Sequence, residues 1–225
     1  MYRVKKLSLI LHSAFYQKIF YHPGRMFSTI GVIRLGSCVT FLIGGAGSGK
    51  SAFAESLASG ASRVVYIATA EAGDPEMASR IAAHRSRRPA EWRTWEGDVL
   101  SLPREIEKIT SAADILLFDS LTMYVSTAML ALPGDTGGNR ELWSAGGQIR
   151  DGVRDIFAGF REAAAGTDKR LIAVSDEAGC GVVPAYPSGR RFRDLLGAAN
   201  QLAAAVADEA AMVVAGLPLW LKARS

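Results

Sequence analysis

Residues 38–58 read CVTFLIGGAGSGKSAFAESLA, and this stretch decides the fold. CVTFLI is a short apolar run with glycines at its end, which is how a buried strand reads. The residues that follow, Gly44, Gly45, Ala46, Gly47, Ser48, Gly49, Lys50 and Ser51, satisfy GxxxxGK[ST] and run into an alanine-rich helix start. Glycines let successive backbone amides turn inward around an anion, and the helix adds its positive N-terminal end. In such a loop Lys50 reaches the β and γ phosphates and Ser51 can ligate Mg²⁺. An incidental lysine in a glycine-rich turn is the bland alternative, and the strand, loop and helix setting argues against it.

Outward from this loop, short apolar runs alternate with helix-length amphipathic stretches, the pattern of a mostly parallel sheet flanked by helices on both faces. The expected strands are 38–43, 64–69, 114–120, 170–175 and 210–216, with LWLK at 219–222 as an added edge strand. Helices are expected near 50–59, 75–87, 100–111, 121–131, 141–165 and 190–207. PGDTGGN at 133–139 is a long cluster of helix breakers. No repeat or linker marks a second domain within 36–225.

The 225 residues are 49% hydrophobic and 21% charged, which excludes disorder and collagen. Cys38 and Cys180 lie in no metal or disulfide spacing, so a reducing cytoplasm is the expected location. The net charge of +4 suggests a polyanion partner until it is placed. Residues 1–35 hold six of the 26 cations and no acid, so 20 basic residues face 22 acidic ones in the remainder. A negative body argues against nucleic acid as a partner. The segment 1–35 is set aside from the fold as a basic leader. An upstream start codon with Met26 as an internal start, a membrane-surface segment and an organelle-type signal are all open readings of it.

Asp119, closing the apolar run ILLFD, is placed to hold the metal of a phosphate-loop protein; capping a helix from Leu121 is its alternative role. His84 is the single histidine beyond the leader. Asp74 and Pro75 read as N-cap and first helical residue, so a helix should run to about Arg87 before Pro89 stops it. On it Met77, Ile81 and His84 form one stripe, with Arg80, Arg85, Arg87 and Arg88 around the histidine. A half-buried histidine beside a solvated cationic face explains this spacing as well as a neutral imidazole nucleophile among polyphosphate-binding guanidiniums does.

The string RIxxHxxxRPxxWxTxE (Arg80, Ile81, His84, Arg88, Pro89, Trp92, Thr94, Glu96) resembles the signature of the bifunctional adenosylcobinamide kinase/adenosylcobinamide-phosphate guanylyltransferase family of cobalamin synthesis. The resemblance spans about 38–222 and includes the loop at 44–51, YIATA at 66–70, 119–122, EAGCGVVP at 177–184, FRDLLGAANQ at 192–201 and ADE at 207–209. It implies a RecA-like P-loop NTPase fold and homo-oligomers, expected as trimers. It also implies two reactions: ATP or GTP phosphorylates adenosylcobinamide, and GMP from GTP then passes through a guanylylated histidine to adenosylcobinamide phosphate. His84 stands at that histidine's position. Ala68, Thr69, Ala70, Arg85, Ser86, Arg87, Arg88, Glu96 and Asp119 stand at GTP-contacting places, with Glu96 able to pair with guanine or to be a plain surface carboxylate.

Three positions depart from the family pattern. Gly47 replaces a common loop arginine, Asp176 a usual asparagine and Thr127 a frequent asparagine. The lost arginine weighs on the kinase half, because it removes a charge-assisted contact to the triphosphate. The other readings of the same loop are a kinase for a different small molecule and a RecA-like NTPase acting on a macromolecule.

Overall fold

The computed structural model describes residues 38–70, 75–131 and 139–223. The leader, the cap at Asp74 and nearly all of the breaker cluster lie outside the described residues. In chain order the elements are β1 (Cys38–Gly44), α1 (Lys50–Ala58), β2 (Val64–Ala68), α2 (Pro75–Arg87), β3 (Arg93–Trp95) and, after a 3₁₀ turn at Val99–Ser101, α3 (Leu102–Ser111). There follow β4 (Ile115–Asp119), α4 (Leu121–Ala131), α5 (Asn139–Ala163), β5 (Arg170–Asp176), α6 (Pro187–Val206), β6 (Glu209–Val214) and β7 (Leu217–Lys222).

The seven strands form one sheet in the order β3-β2-β4-β5-β1-β6-β7, parallel throughout except for β7. Alternating strand residues feed two cores. Phe41, Ile67, Phe118 and Leu171 face α3–α6, where Ile106, Leu121, Phe157 and Leu196 meet them. Leu42, Tyr66, Leu117 and Val174 face the side that carries Ala54 and Ala58 of α1. Each large side chain so buried contributes about 1.5–3 kcal/mol of transfer free energy. The fold is therefore the expected α/β P-loop architecture with helices on both faces.

Three differences from the sequence expectation have physical causes. No strand was expected between residues 70 and 100, yet Arg93–Trp95 pairs with Val65–Ile67. Three residues carry too little pattern to read as a strand, and pairing with β2 alone makes them one. The last long helix begins at Pro187 rather than near 190, because the fixed φ of proline suits the first helical position. The expected 100–111 helix also resolves into the 3₁₀ turn and α3, with Asp98 accepting from the amide of Leu100 at 3.0 Å.

One strand, β5, separates β1 from β4. The loop after β1, Asp119 at the end of β4 and Asp176 at the end of β5 therefore open onto the same carboxyl edge, where open parallel sheets bind ligands. At the far side the β6–β7 turn reaches that edge: the amide of Gly216 donates to the carbonyl of Ser48 over 2.8 Å.

Candidate functional site

The phosphate loop is set by its backbone. Gly47 and Gly49 turn with φ of 70° and 89°, conformations that a side chain would strain. Gly44 allows a close approach, since a Cβ there would lie 2.5 Å from the carbonyl of Val213 and 2.7 Å from Ser48 Oγ. Gly49 is the N-cap of α1 and offers no side-chain cap, so the first amides of the helix are left to the loop's concavity. Ser48 Oγ is buried without a hydrogen-bond partner, an orphan that suits a cradle for anionic oxygens. Lys50 is buried; its Nζ lies 2.5 Å from Asp176 Oδ1 and donates to the carbonyl of Gly45 at 3.2 Å.

Asp119 is not the cap of α4. That task falls to Ser120, whose Oγ accepts from the amide of Met123 at 3.3 Å, while Asp119 Oδ2 accepts from the phenol of Tyr66 at 2.6 Å. Burial, and then the neighbouring charge of Asp119, push the Tyr66 hydroxyl far above its ordinary range, so it stays protonated and donates. Thr69 ties the ends of β2 and β4 together: its Oγ1 donates to the carbonyl of Ser120 at 2.9 Å and accepts from its amide at 2.7 Å.

The Arg88 guanidinium stacks on Tyr66, 3.2 Å from the ring centroid. Such a cation–π contact is worth up to about 2 kcal/mol when desolvated. Glu55, on α1, lies 3.9 Å from Arg87 Nη2 with its side chain only 15% exposed. Burial raises its carboxyl above the usual range, and the charges of Arg87 and Arg88 offset that only in part. Arg87 Nη2 also lies 3.1 Å from His84 Nδ1. On the outer rim Arg85 pairs with Glu96 at 3.4 Å, both exposed.

Apart from Glu55, which lies behind Arg87, the charged groups just described line one cleft of about 840 Å³. Among its lining residues are Ala46, Gly47, Ser48, Gly49, Lys50 and Ser51 of the loop, together with Ala68, Thr69, Ala70, His84, Arg85, Arg87, Arg88, Glu96 and Asp119. Gly44, Gly45 and Ser86 are not among them; the first two shape the loop from behind. The sequence reading singled out Asp176 only as a departure, and it missed Tyr66 and Glu55. Tyr66 reads as an ordinary core aromatic, and nothing in α1 marks Glu55.

The donor set suits a hard cation. The Ser51 hydroxyl and the Asp119 carboxylate are oxygen donors of the kind that suits Mg²⁺ beside phosphates and waters. Among the described residues no group of three or more His, Cys, Asp or Glu could hold a metal ion.

A family model described as cobinamide kinase / cobinamide phosphate guanyltransferase matches residues 40–221. The bifunctional adenosylcobalamin biosynthesis protein CobP of Pseudomonas aeruginosa is 40% identical over 182 residues, 80% of this chain and 95% of that protein. The corresponding CobU proteins of Salmonella typhimurium and Escherichia coli are 36% and 34% identical, each over 80% of this chain and 97% of their own length.

Proposed function

The chain belongs to the cobinamide kinase / cobinamide phosphate guanyltransferase family, and from that premise we propose how its cleft divides the two reactions. The protein is an enzyme of cobalamin biosynthesis that takes cobinamide and nucleotide substrates. In the kinase step the loop amides and Lys50 hold the triphosphate of ATP or GTP, and the hydroxyl of adenosylcobinamide attacks the γ-phosphorus, releasing the diphosphate. Ser51 and Asp119 would hold Mg²⁺, which supplies charge neutralisation on the phosphate oxygens. Tyr66 fixes the Asp119 carboxylate for that purpose.

In the transferase step a ring nitrogen of His84 attacks the α-phosphorus of GTP. The N–P bond forms as the bond to pyrophosphate breaks, and Arg85, Arg87 and Arg88 take up charge on the departing group. A phosphate oxygen of adenosylcobinamide phosphate then attacks the phosphoramidate, giving adenosylcobinamide-GDP and restoring the imidazole. Glu96, on the rim, accepts from the guanine donors. A cytoplasmic, homo-oligomeric enzyme belongs to the same proposal. Among the described residues no helix is long and apolar enough to cross a membrane.

The observation that carries this reading is the presence of His84 and the phosphate loop in the same cleft. Incubation with α-labelled GTP followed by denaturing electrophoresis tests it. Wild type should carry an acid-labile label and His84→Ala none; an unlabelled wild type, or a labelled variant, overturns the histidine assignment.

A further inference from the structure

The lysine of the phosphate loop is already engaged. Its Nζ meets Asp176 Oδ1 at 2.5 Å, inside the cleft, with side-chain exposures of 10% for Lys50 and 32% for Asp176. Asp176 is held there by its backbone. It closes β5 opposite Gly44 of β1, its amide donates to Thr122 Oγ1 at 2.7 Å, and its carbonyl accepts from Asn200 Nδ2 at 3.0 Å. These contacts fix the backbone of Asp176 independently of Lys50. Together with Asp119 it sets two carboxylates on the carboxyl edge around the place the loop offers to a polyphosphate.

We propose that Asp176 is a specificity-determining residue that makes this loop select a triphosphate chelated by a divalent cation over the unchelated anion. The proposal rests on the reading of the loop as a nucleotide site. An unchelated triphosphate entering the loop must take Lys50 from Asp176 and then lie against a carboxylate that has lost its counter-charge. Like charges brought close together are costly where water is scarce. A chelated triphosphate brings its own positive charge, which offsets the same carboxylate once Lys50 has turned to the phosphates. Asp176 thus penalises one form of the nucleotide far more than the other.

The test is equilibrium binding of the β,γ-imido analogue of ATP to the full chain, in Mg²⁺ and in EDTA, for wild type, Asp176→Asn and Lys50→Ala. Asparagine keeps the shape and removes the charge; Asp176→Ser serves if that variant does not fold. In EDTA the Asp176 variant should bind on the order of tenfold more tightly than wild type, and in Mg²⁺ within about threefold of it. Equal tightening in both media would make Asp176 a simple competitor for Lys50 and overturn the proposal, as would no tightening in EDTA. Lys50→Ala separates the two layers of the argument. Binding that survives it unchanged means that the loop is not the nucleotide site, whereas its loss beside an unaltered Asp176→Asn sinks the selectivity alone.

Discussion

Arg87 Nη2 lies 3.1 Å from Nδ1 of His84, and since a guanidinium can only donate, the ring nitrogen accepts. Arg87 thereby holds the ring from its Nδ1 side. The sequence offered several arginines for this task, and the geometry selects Arg87, because Arg85 is turned toward Glu96.

Replacing Arg87 by Ala removes the donor to Nδ1 and one cation of the cleft. Single-turnover GMP transfer from GTP should slow by about tenfold or more, since hydrogen bonds to charged groups are worth about 1.5–3 kcal/mol. A rate equal to wild type would show that Arg87 takes no part in the transfer.

Tyr66→Phe deletes the phenol that bonds Asp119 at 2.6 Å and leaves the ring under Arg88. Hydrogen bonds to charged groups are worth about 1.5–3 kcal/mol, so the kinase step should slow by about tenfold or more. Transfer of the labelled γ-phosphoryl group to saturating acceptor reads this directly. A rate equal to wild type would mean that the orientation of Asp119 is irrelevant to phosphoryl transfer.

Glu55 is held above its ordinary carboxyl value chiefly by burial. A group whose folded value is raised contributes stability that is complete below its unfolded value, about 4.5, and is lost as pH rises through the folded one. Glu55→Gln should therefore melt at a higher temperature than wild type near pH 7.5 and at the same temperature near pH 4. Lower stability of the variant at pH 7.5 would show that the arginine pairing outweighs burial.

Gly44→Ala places a Cβ 2.5 Å from the Val213 carbonyl, where neighbouring backbone must shift. Overpacking of this kind costs typically about 1–3 kcal/mol, readable as a lower denaturation midpoint. An unchanged midpoint would mean that β6 yields freely at that point.

Much of this architecture could be read in advance. The strand and loop at 38–51 announce themselves by local pattern, and α2 was bounded by Pro75 and Pro89 because proline acts on its own backbone. What stayed hidden depends on strand order. Lys50 and Asp176 become neighbours only because β5 inserts beside β1, and Tyr66 reaches Asp119 only because β2 lies beside β4. Arg93–Trp95 is a strand by virtue of its partner rather than its composition. Glu55 acquires its surroundings from a helix that the chain reaches some thirty residues later, so no window of sequence contains the cause.

The contact between Gly216 and Ser48 makes the final hairpin a buttress, and Trp220 adds an edge-on contact to Phe53 of α1 at 6.4 Å between ring centroids. A Cβ at Gly49 would lie 3.0 Å from Gly216 Cα, so loop and turn are in van der Waals contact. This bears on how the protein can be trimmed or tagged. A fragment stopped after α6 would retain β1–β5 and every charged group of the cleft, yet it would leave the cradle without its outer wall. The edge farthest from the histidine is therefore a poor place to graft a reporter, because a shift of the final hairpin would be passed on to the glycine-rich loop.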